Sequence, residues 1–383
     1  MMASHDDAAS NGVRGRHESL VETFVSCPGL GASRLRSVQR HSELDLGETL
    51  ERLSRGDSSP FPRVRRRGEG WDQLGARFHA VCTGGVPAAG SRWWLSGDPG
   101  WEPVFGADDD PPAALAYEGS LDALLRPRVA IVGTRSASAA GLAFARELGA
   151  SLSAAGVAVV SGLARGIDGA AHRGTIGSDG EGRAIGVLGT GLGVVYPREH
   201  RDLQCSVAGN GLLLSEYEPR RGPRPEAFPL RNRIVAQVAH VVVVVESGER
   251  GGSLLTVQEA SMRGRPILAV PNNPLLRSAV GSNGLLRSER GAPPLAVPCH
   301  GPADVLAVLD VEAIVRAPDD DPRPEPAGRS RAVLDALGWD ERTTSWLAAA
   351  AALPLGEVAE VLATLEDEGW TVYRSGRWQR QPR

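Results

Sequence analysis

The most constraining stretch of the chain is residues 129–173, VAIVGTRSASAAGLAFARELGASLSAAGVAVVSGLARGIDGAAHR. A short β-branched run, 129–132, ends in Gly133-Thr134-Arg135 and gives way to a small-residue amphipathic segment, 141–154, which Gly156 is placed to stop. A second apolar run, 157–160, opens into Ser161-Gly162-Leu163-Ala164-Arg165-Gly166. Strand, loop, helix, strand, loop is the unit of a parallel α/β sheet, because parallel neighbours need a crossover longer than any hairpin. Each loop leaving a strand combines Gly, Ser or Thr with one Arg. That mixture brings close backbone approach, N–H and hydroxyl donors, and a fixed positive fork. Loops of this chemistry bind anions.

The pattern continues down the chain. Residues 184–188 read as a third strand ending in Gly189-Thr190-Gly191, 199–207 as a helix, and 212–214 as a fourth strand ending in Ser215-Glu216. A short helix over 234–238, a fully apolar strand over 241–245, a helix over 254–262 and a last clear strand over 267–270 follow. Continuous apolar strands belong to a sheet covered on both faces. The expected fold class is therefore α/β, a Rossmann-like, doubly wound, mostly parallel sheet over residues 97–300.

Open sheets of this kind bind ligands at the carboxyl ends of their strands. There the sequence collects Arg135, Ser138, Ser161, Arg165, Asp168, Thr190, Ser215, Glu216, Ser247 and Ser253, while Arg220, Arg221, Arg224, Arg231 and Arg233 fall between the fourth strand and the next helix. A groove of Arg, hydroxyls and backbone donors suits successive phosphates, as on a polynucleotide.

Several function classes drop out. All 42 basic residues are Arg, so there is no Walker A lysine, Schiff-base lysine or pyridoxal site. The first loop is not GxGxxG, and Ser161 ends the second strand where a ribose-binding Asp or Glu belongs, which disfavours NAD. No cofactor or metal is expected. Cys27, Cys82, Cys205 and Cys299 are far apart without a CxxC pair, and read as reduced, buried and structural. The absence of a long apolar run and the polar start suggest a cytoplasmic protein. A net charge of -4 leaves room for a local basic groove but not for a uniformly basic coat.

Outside the sheet, residues 1–18 read as a disordered tail. Residues 20–25, the turn Cys27-Pro28-Gly29-Leu30-Gly31, and 35–38 read as a helix-hairpin-helix (SAM-like) pair, with further helix over 46–53, giving a small N-terminal helical domain over 19–58. Such a pair serves for protein docking or, through backbone N–H groups, for contact with DNA phosphate. Residues 59–96 form a linker and weakly patterned segment that begins with the basic run Arg65-Arg66-Arg67, and 101–112 read as irregular coil. Trp93, Trp94 and Trp101 are expected to cover the sheet edge rather than to stack on bases. After a Pro/Asp/Glu/Arg linker over 317–328, helices over 333–337, 343–351 and 355–368 and a hairpin about Ser375-Gly376 outline a winged-helix domain over 329–383. Glu357, Glu360, Glu366, Asp367 and Glu368 make its third helix acidic, which repels phosphate and favours protein interaction or regulation.

Taken in order, VAIVGTR, VVSGLARGIDGAAHRG, VLGTGLGVVYPREHRDL, GLLLSEY, FPLRNRIVA, VVVVVESGERGGSLLTV and RGRPILAVP resemble the DNA-processing protein A (DprA, also called Smf) family over roughly residues 97–292. The resemblance implies a homodimeric Rossmann-fold recombination mediator, not an enzyme, that binds incoming single-stranded DNA in natural transformation and loads RecA recombinase onto it. Carried over by motif, its phosphate-binding pocket would use Gly133, Arg135, Ser138, Ser161, Gly162, Arg165 and Gly166, with Arg224, Phe228, Arg231, Asn232, Arg233, Gly252 and Ser253. Arg135 and Arg165 lead as phosphate contacts, with pairing to a buried carboxylate such as Asp168 or Glu246 as the structural alternative. Phe228 either stacks on a base or packs in the core. Asp168 and His172, four apart on one helix face, are expected to hold one another, and Glu216 and Glu246 to position neighbours.

The chain departs from the family pattern at Gly193, where an Asp is usual, at Asn272, where a Gly is usual, and in GSNGLLRSERGA, which is two residues longer than usual. The last of these lies in the part the resemblance associates with the dimer and RecA. A second class stays open: GGSLLTVQEA is similar to the loop of Rossmann-fold nucleotide phosphoribohydrolases of the lysine-decarboxylase-like group, with Glu259 as its only suitably placed acid. A nucleotide-sensing protein without DNA affinity is a third reading.

Overall fold

Asp45 accepts a hydrogen bond from the Glu48 N–H, Ser138 from Gly141 and Thr343 from Trp346, so short polar side chains open three of the helices by taking up otherwise unpaired N–H groups. The computed structural model describes residues 5–27, 30–42, 44–57, 71–83, 85–86, 90–288, 293–316, 326–337, 342–374 and 376–380. It divides into two units, Met1–Leu306 and Ala307–Arg383.

The first unit begins with helices α1 (His5–Ser26), α2 (Gly31–His41), α3 (Leu46–Ser54) and α4 (Trp71–Cys82), followed by strand β1 (Arg92–Leu95), the short helix α5 (Glu102–Phe105) and strand β2 (Ala114–Gly119). Then strands and helices alternate: β3 (Arg128–Val132), α6 (Ala139–Ala154), β4 (Ala158–Ser161), α7 (Ile167–Ile176), β5 (Ala184–Val187), α8 (Arg201–Asn210), β6 (Leu212–Ser215), α9 (Ala227–Val238), β7 (Val241–Val244), α10 (Ser253–Met262), β8 (Ile267–Ala269), α11 (Val280–Leu285) and β9 (Val297–Pro298). The nine-stranded sheet has the order β1-β2-β6-β5-β4-β3-β7-β8-β9, parallel from β6 to β9, with β2 antiparallel to both β6 and β1. Val129 of β3 sits opposite Val159 of β4 and Val241 of β7. The chain winds outward from β3 in one direction, then returns beside it at β7. That reversal marks the place where open α/β sheets hold ligands.

Alternate side chains feed two cores. One face carries Ala130, Val160, Ile185, Leu214 and Val242 against Ile234, Val235 and Val257 of α9 and α10. The other end of the sheet packs Trp93, Ala116 and Leu213 with Leu20, Phe24, Leu50 and Phe78 of the first four helices. The N-terminal helices therefore share a core with the sheet instead of forming a domain of their own. Trp93 and Trp94 lie in the edge strand β1 and, with Trp101, are buried, and Trp94 meets Trp101 edge to face at 4.7 Å.

Other expectations also fall. The expected tail is the first half of α1, a helix too polar over its opening turns to show an apolar period, with Leu20, Val21 and Phe24 anchoring its second half. The weak segment holds α4 and β1, and the expected coil contains α5, each too short or too irregular for a periodic signal. β2 went unread for the same reason, and β9 rather than β8 ends the sheet. Arg231 and Arg233 lie inside α9, which begins seven residues earlier than its apolar pattern suggests. Cys299 is buried, but Cys27 and Cys82 are half-buried and Cys205 is exposed; all are free thiols. The basic linker about Arg65-Arg66-Arg67 and most of the linker over 317–328 lie outside the described residues, and Gly328 already opens a helix.

The helix α12 (Pro302–Arg316) runs across the division in the chain. The second unit then contains α13 (Gly328–Leu337), α14 (Thr344–Ala350), α15 (Leu355–Asp367) and the hairpin β10 (Thr371–Arg374)–β11 (Arg377–Arg380), around a core of Val333, Leu334, Leu347, Leu362, Trp370 and Trp378. A bridge between Arg342 and Trp378 extends the hairpin to a third segment. No single described helix is long and apolar enough to cross a membrane.

Candidate functional site

A cleft of about 550 Å³ opens at the carboxyl ends of β3, β4 and β7, where the winding reverses. Its walls come from Gly133, Thr134 and Arg135 after β3, Gly162 and Ala164 after β4, Phe228, Pro229 and Asn232 of α9, and the chain from Gly251 to Thr256 that opens α10. Sequence reasoning placed the ligand at this edge, and most of the cleft residues belong to the motifs that pointed there.

The loops are held from beneath. The Thr134 N–H donates to the Glu246 carbonyl at 2.7 Å, and the Glu246 carboxylate accepts from the Ser138 hydroxyl at 2.7 Å and from its N–H. Ser138 also caps α6, so it faces the helix and not the cleft. Ser161 is buried and donates to the Ile131 carbonyl at 2.7 Å. Asp168 accepts from the Gly162 N–H at 3.1 Å. Arg231 is 5% exposed and donates to the carbonyls of Gly162, at 2.8 Å, and Val187. Burial raises the Asp168 carboxyl above its usual range while Arg231 opposes that rise, and burial lowers Arg231 against the pull of Asp168. These two sit as a compensated pair under the floor. Ser138 and Ser161, read from the sequence as phosphate contacts, are hydrogen-bonded within the protein and do not line the cleft, whereas Arg231 braces the floor and also lines the cleft. Glu246 ties the loop after β3 to the start of α6.

Two glycines make the floor possible. A Cβ on Gly162 would stand 2.2 Å from the Arg231 guanidinium. Gly166, at φ +73°, turns the chain into α7 so closely that a Cβ there would meet the Thr134 carbonyl oxygen at 2.2 Å.

Above the floor the cleft presents a cation and aromatic rings. Arg135 is exposed, its guanidinium 5.2 Å from the centre of the Phe228 ring. Tyr196 packs on Phe228 with centroids 5.3 Å apart and the planes tilted by 36°. Arg135 has no carboxylate partner among the described residues, so its charge is available to a ligand. Asn232 donates to the Gly252 carbonyl at 3.1 Å, and Ser253 to the Ser247 hydroxyl at 2.8 Å, tying the start of α10 to its neighbours. Cation, stacking surface and exposed backbone at one edge form a receptor for a phosphate with a flat group beside it.

Other expected site residues lie at the rim of the cleft or away from it. Arg165 is exposed but hydrogen-bonds Glu199, a carboxylate the sequence did not single out. Arg224 is exposed before α9 and does not line the cleft. Arg233 is buried on the far side of α9, where Glu216 accepts from it and, at 3.0 and 3.1 Å, from Arg36 of α2. Asp168 and His172 do not hold one another: Asp168 is taken up by the loop, and burial keeps His172 neutral, its imidazole lowered to about 4. The rotation of α7 puts both inside, but against different elements. Tyr196, Thr134 and Thr256 line the cleft and were missed, although Tyr196 lies within the quoted motif VVYPREH. Asn272 and Asn283, both in the departing region, bond reciprocally, N–H to side-chain oxygen at 3.0 Å and side-chain nitrogen to carbonyl at 3.1 Å.

Comparison with known proteins accords with this geometry. The family described as DNA recombination-mediator protein A matches residues 93–296. The DNA processing protein DprA of Streptococcus pneumoniae is 39% identical over 178 residues, 46% of this chain and 62% of that protein. The X-ray structure of DprA from S. pneumoniae superposes with a TM-score of 0.57 at 27% identity, covering 80% of this chain and 98% of that one. DNA processing protein A from Helicobacter pylori, described for its single-stranded DNA binding mode, superposes with a TM-score of 0.50 at 26% identity over 58% of this chain and 98% of that one. The matched regions span between 46% and 66% of the curated relatives' length.

Proposed function

This chain belongs to the DNA recombination-mediator protein A family, and on that premise we propose that it binds single-stranded DNA in the cleft at the carboxyl edge of its sheet. The observation that carries the reading is the exposed Arg135 guanidinium over the Phe228 ring, without an acid to neutralise it. A phosphate at Arg135 and a base against the aromatic pair use both features together. Neither reads base identity, so binding is independent of sequence.

In this reading the protein is a mediator and not an enzyme. It is cytoplasmic, works as a homodimer, protects incoming DNA during natural transformation and loads RecA recombinase onto it. The second unit acts as a winged helix with a regulatory or protein-docking role, since Glu360, Glu366 and Asp367 of α15 are exposed and repel phosphate. The N-terminal helices serve docking. The phosphoribohydrolase alternative loses support, because Glu259 is held in an ion pair with Arg263, at 2.6 Å, and does not line the cleft.

Fluorescence anisotropy of labelled oligo-dT against a duplex of equal length, across a salt series, tests the proposal. Wild type binds the single strand preferentially, and affinity falls with salt at a slope of roughly 0.7 per phosphate contact. Arg135→Ala flattens that slope by about one contact. Equal binding of both DNAs, or of neither, overturns the reading.

A further inference from the structure

We propose that Glu199 is a built-in competitor for DNA phosphate, occupying Arg165 until a strand displaces it and so setting both the affinity and the salt response of the cleft. This rests on the single-strand reading above and concerns the regulation of the same site.

The geometry is specific. A small recess of about 30 Å³ continues the cleft past Arg135 and Phe228 to Arg165, Tyr196 and Pro197. Arg165 stands at its rim, and the carboxylate of Glu199 takes its Nε–H. The two side chains are 62% and 50% exposed, and each is the other's only ion-pair partner among the described residues. Glu199 does not wander over this position. The turn that carries it, Arg198–His200, is tied to the loop that carries Arg165, because the buried His200 ring approaches the Leu163 carbonyl at 3.0 Å through Nδ1. The residue immediately before a buried anchor is thereby held over the residue two positions after that carbonyl.

A carboxylate and a phosphodiester offer a guanidinium the same acceptor pattern. Glu199 thus fills the place a backbone phosphate would take one step along from Arg135. Exposed ion pairs are weak, roughly 0–1 kcal/mol, and are screened by salt, so a strand delivering several phosphates at once displaces the carboxylate readily whereas a lone anion does not. The Arg165 guanidinium holds Glu199 ionised down to about pH 2. The competition therefore persists across the whole physiological range, and acidification does not relieve it.

The experiment is the oligo-dT salt series with four full-length variants: Glu199→Gln, Arg165→Ala, the double variant, and Glu226→Gln, which removes an equal charge from the chain between Pro225 and Phe228 where no arginine is paired to it among the described residues. Glu199→Gln is expected to bind roughly three- to tenfold tighter, with the salt slope steeper by about 0.7, one added contact. Arg165→Ala alone binds no tighter than wild type, and in the double variant the gain disappears. Glu226→Gln shifts affinity less than Glu199→Gln and leaves the slope as it was. A gain that survives in the double variant, or one matched by Glu226→Gln, overturns the inference, since either outcome reduces Glu199 to a general negative charge. Wild-type binding untouched by Glu199→Gln overturns it as well while leaving the single-strand reading intact. Failure of wild type to bind at any salt overturns both.

Discussion

The guanidinium of Arg231 donates to the carbonyl of Gly162 at 2.8 Å, from beneath the loop that leaves β4. An arginine read from the sequence as a phosphate contact is thereby also a structural element of the cleft floor, shared between two strand ends. Removing it leaves two carbonyls without their donor and takes an opposing charge away from the buried Asp168, the situation in which one partner's loss is expensive.

Arg231→Ala is therefore expected to destabilise the first unit by roughly 3 kcal/mol, the low end for breaking a buried pair, as read by chemical denaturation. Arg135→Ala should leave the denaturation midpoint where it is and act on DNA affinity alone, because its side chain is exposed and bonded to no buried group. Equal midpoints for wild type and Arg231→Ala would remove the structural role given to that residue.

Gly166→Ala tests the floor from the backbone. At φ +73° the residue occupies a region that L side chains rarely adopt, and its new methyl would meet Thr134 and Arg135. The conformational strain alone is about 1–3 kcal/mol, and relief of the clash must part the loops after β3 and β4. Lower stability together with weakened oligo-dT binding is the expected outcome. Wild-type binding by a folded Gly166→Ala protein would show that the two loops need not touch.

The parallel sheet and the edge that carries the cleft were legible because they depend on local signals: apolar runs such as 241–245, and Gly, Ser and Arg where strands end. The division of labour among those residues was not. Whether an arginine reaches the ligand or the protein depends on its helical phase and on what lies across from it. In α9, Asn232 and Arg231 both line the cleft, Arg231 with its guanidinium committed to the loop after β4, while Arg233 points into the interior towards Glu216. Glu199 was invisible for a similar reason: a lone acid in a turn gains its meaning only from Arg165, thirty-four residues earlier in the chain. The edge strands β1 and β2 escaped notice because four to six residues in an irregular stretch carry too little period.

Glu216 is 3% exposed and lies between Arg36, 14% exposed, and Arg233, 5% exposed. Asp110 adds a weaker carboxylate, 3.7 Å from each guanidinium. Glu216→Gln keeps the shape but leaves two largely buried cations to Asp110 alone. The expected loss is roughly 3 kcal/mol, accompanied by faster amide exchange in α2, whose Arg36 loses its tie to the end of β6. Arg36→Met, which removes one cation and leaves the Arg233–Glu216 pair whole, should be milder. Unchanged exchange in α2 with Glu216→Gln would mean that apolar packing alone holds that helix to the sheet.

His172 gives the fold a pH dependence of definite sign. Burial, aided by the neighbouring His200 and Arg231, lowers its imidazole from 6.5 to about 4. Between those values the unfolded chain binds a proton that the folded chain does not, so stability is complete above pH 6.5 and falls as the pH drops towards 4. At 1.36 kcal/mol per unit, the loss over that window reaches roughly 3 kcal/mol. Asp168, raised by burial, acts in the opposite direction, since the folded state takes up its proton first on acidification. It remains in both proteins when His172→Leu is compared with wild type, so its contribution cancels in the difference. Denaturation at pH 7 and pH 4.5 should therefore show the stability gap between wild type and His172→Leu moving in favour of the variant by about 2–3 kcal/mol on acidification. A gap that is the same at both pH values would mean that His172 is protonated in the fold as readily as in the unfolded chain.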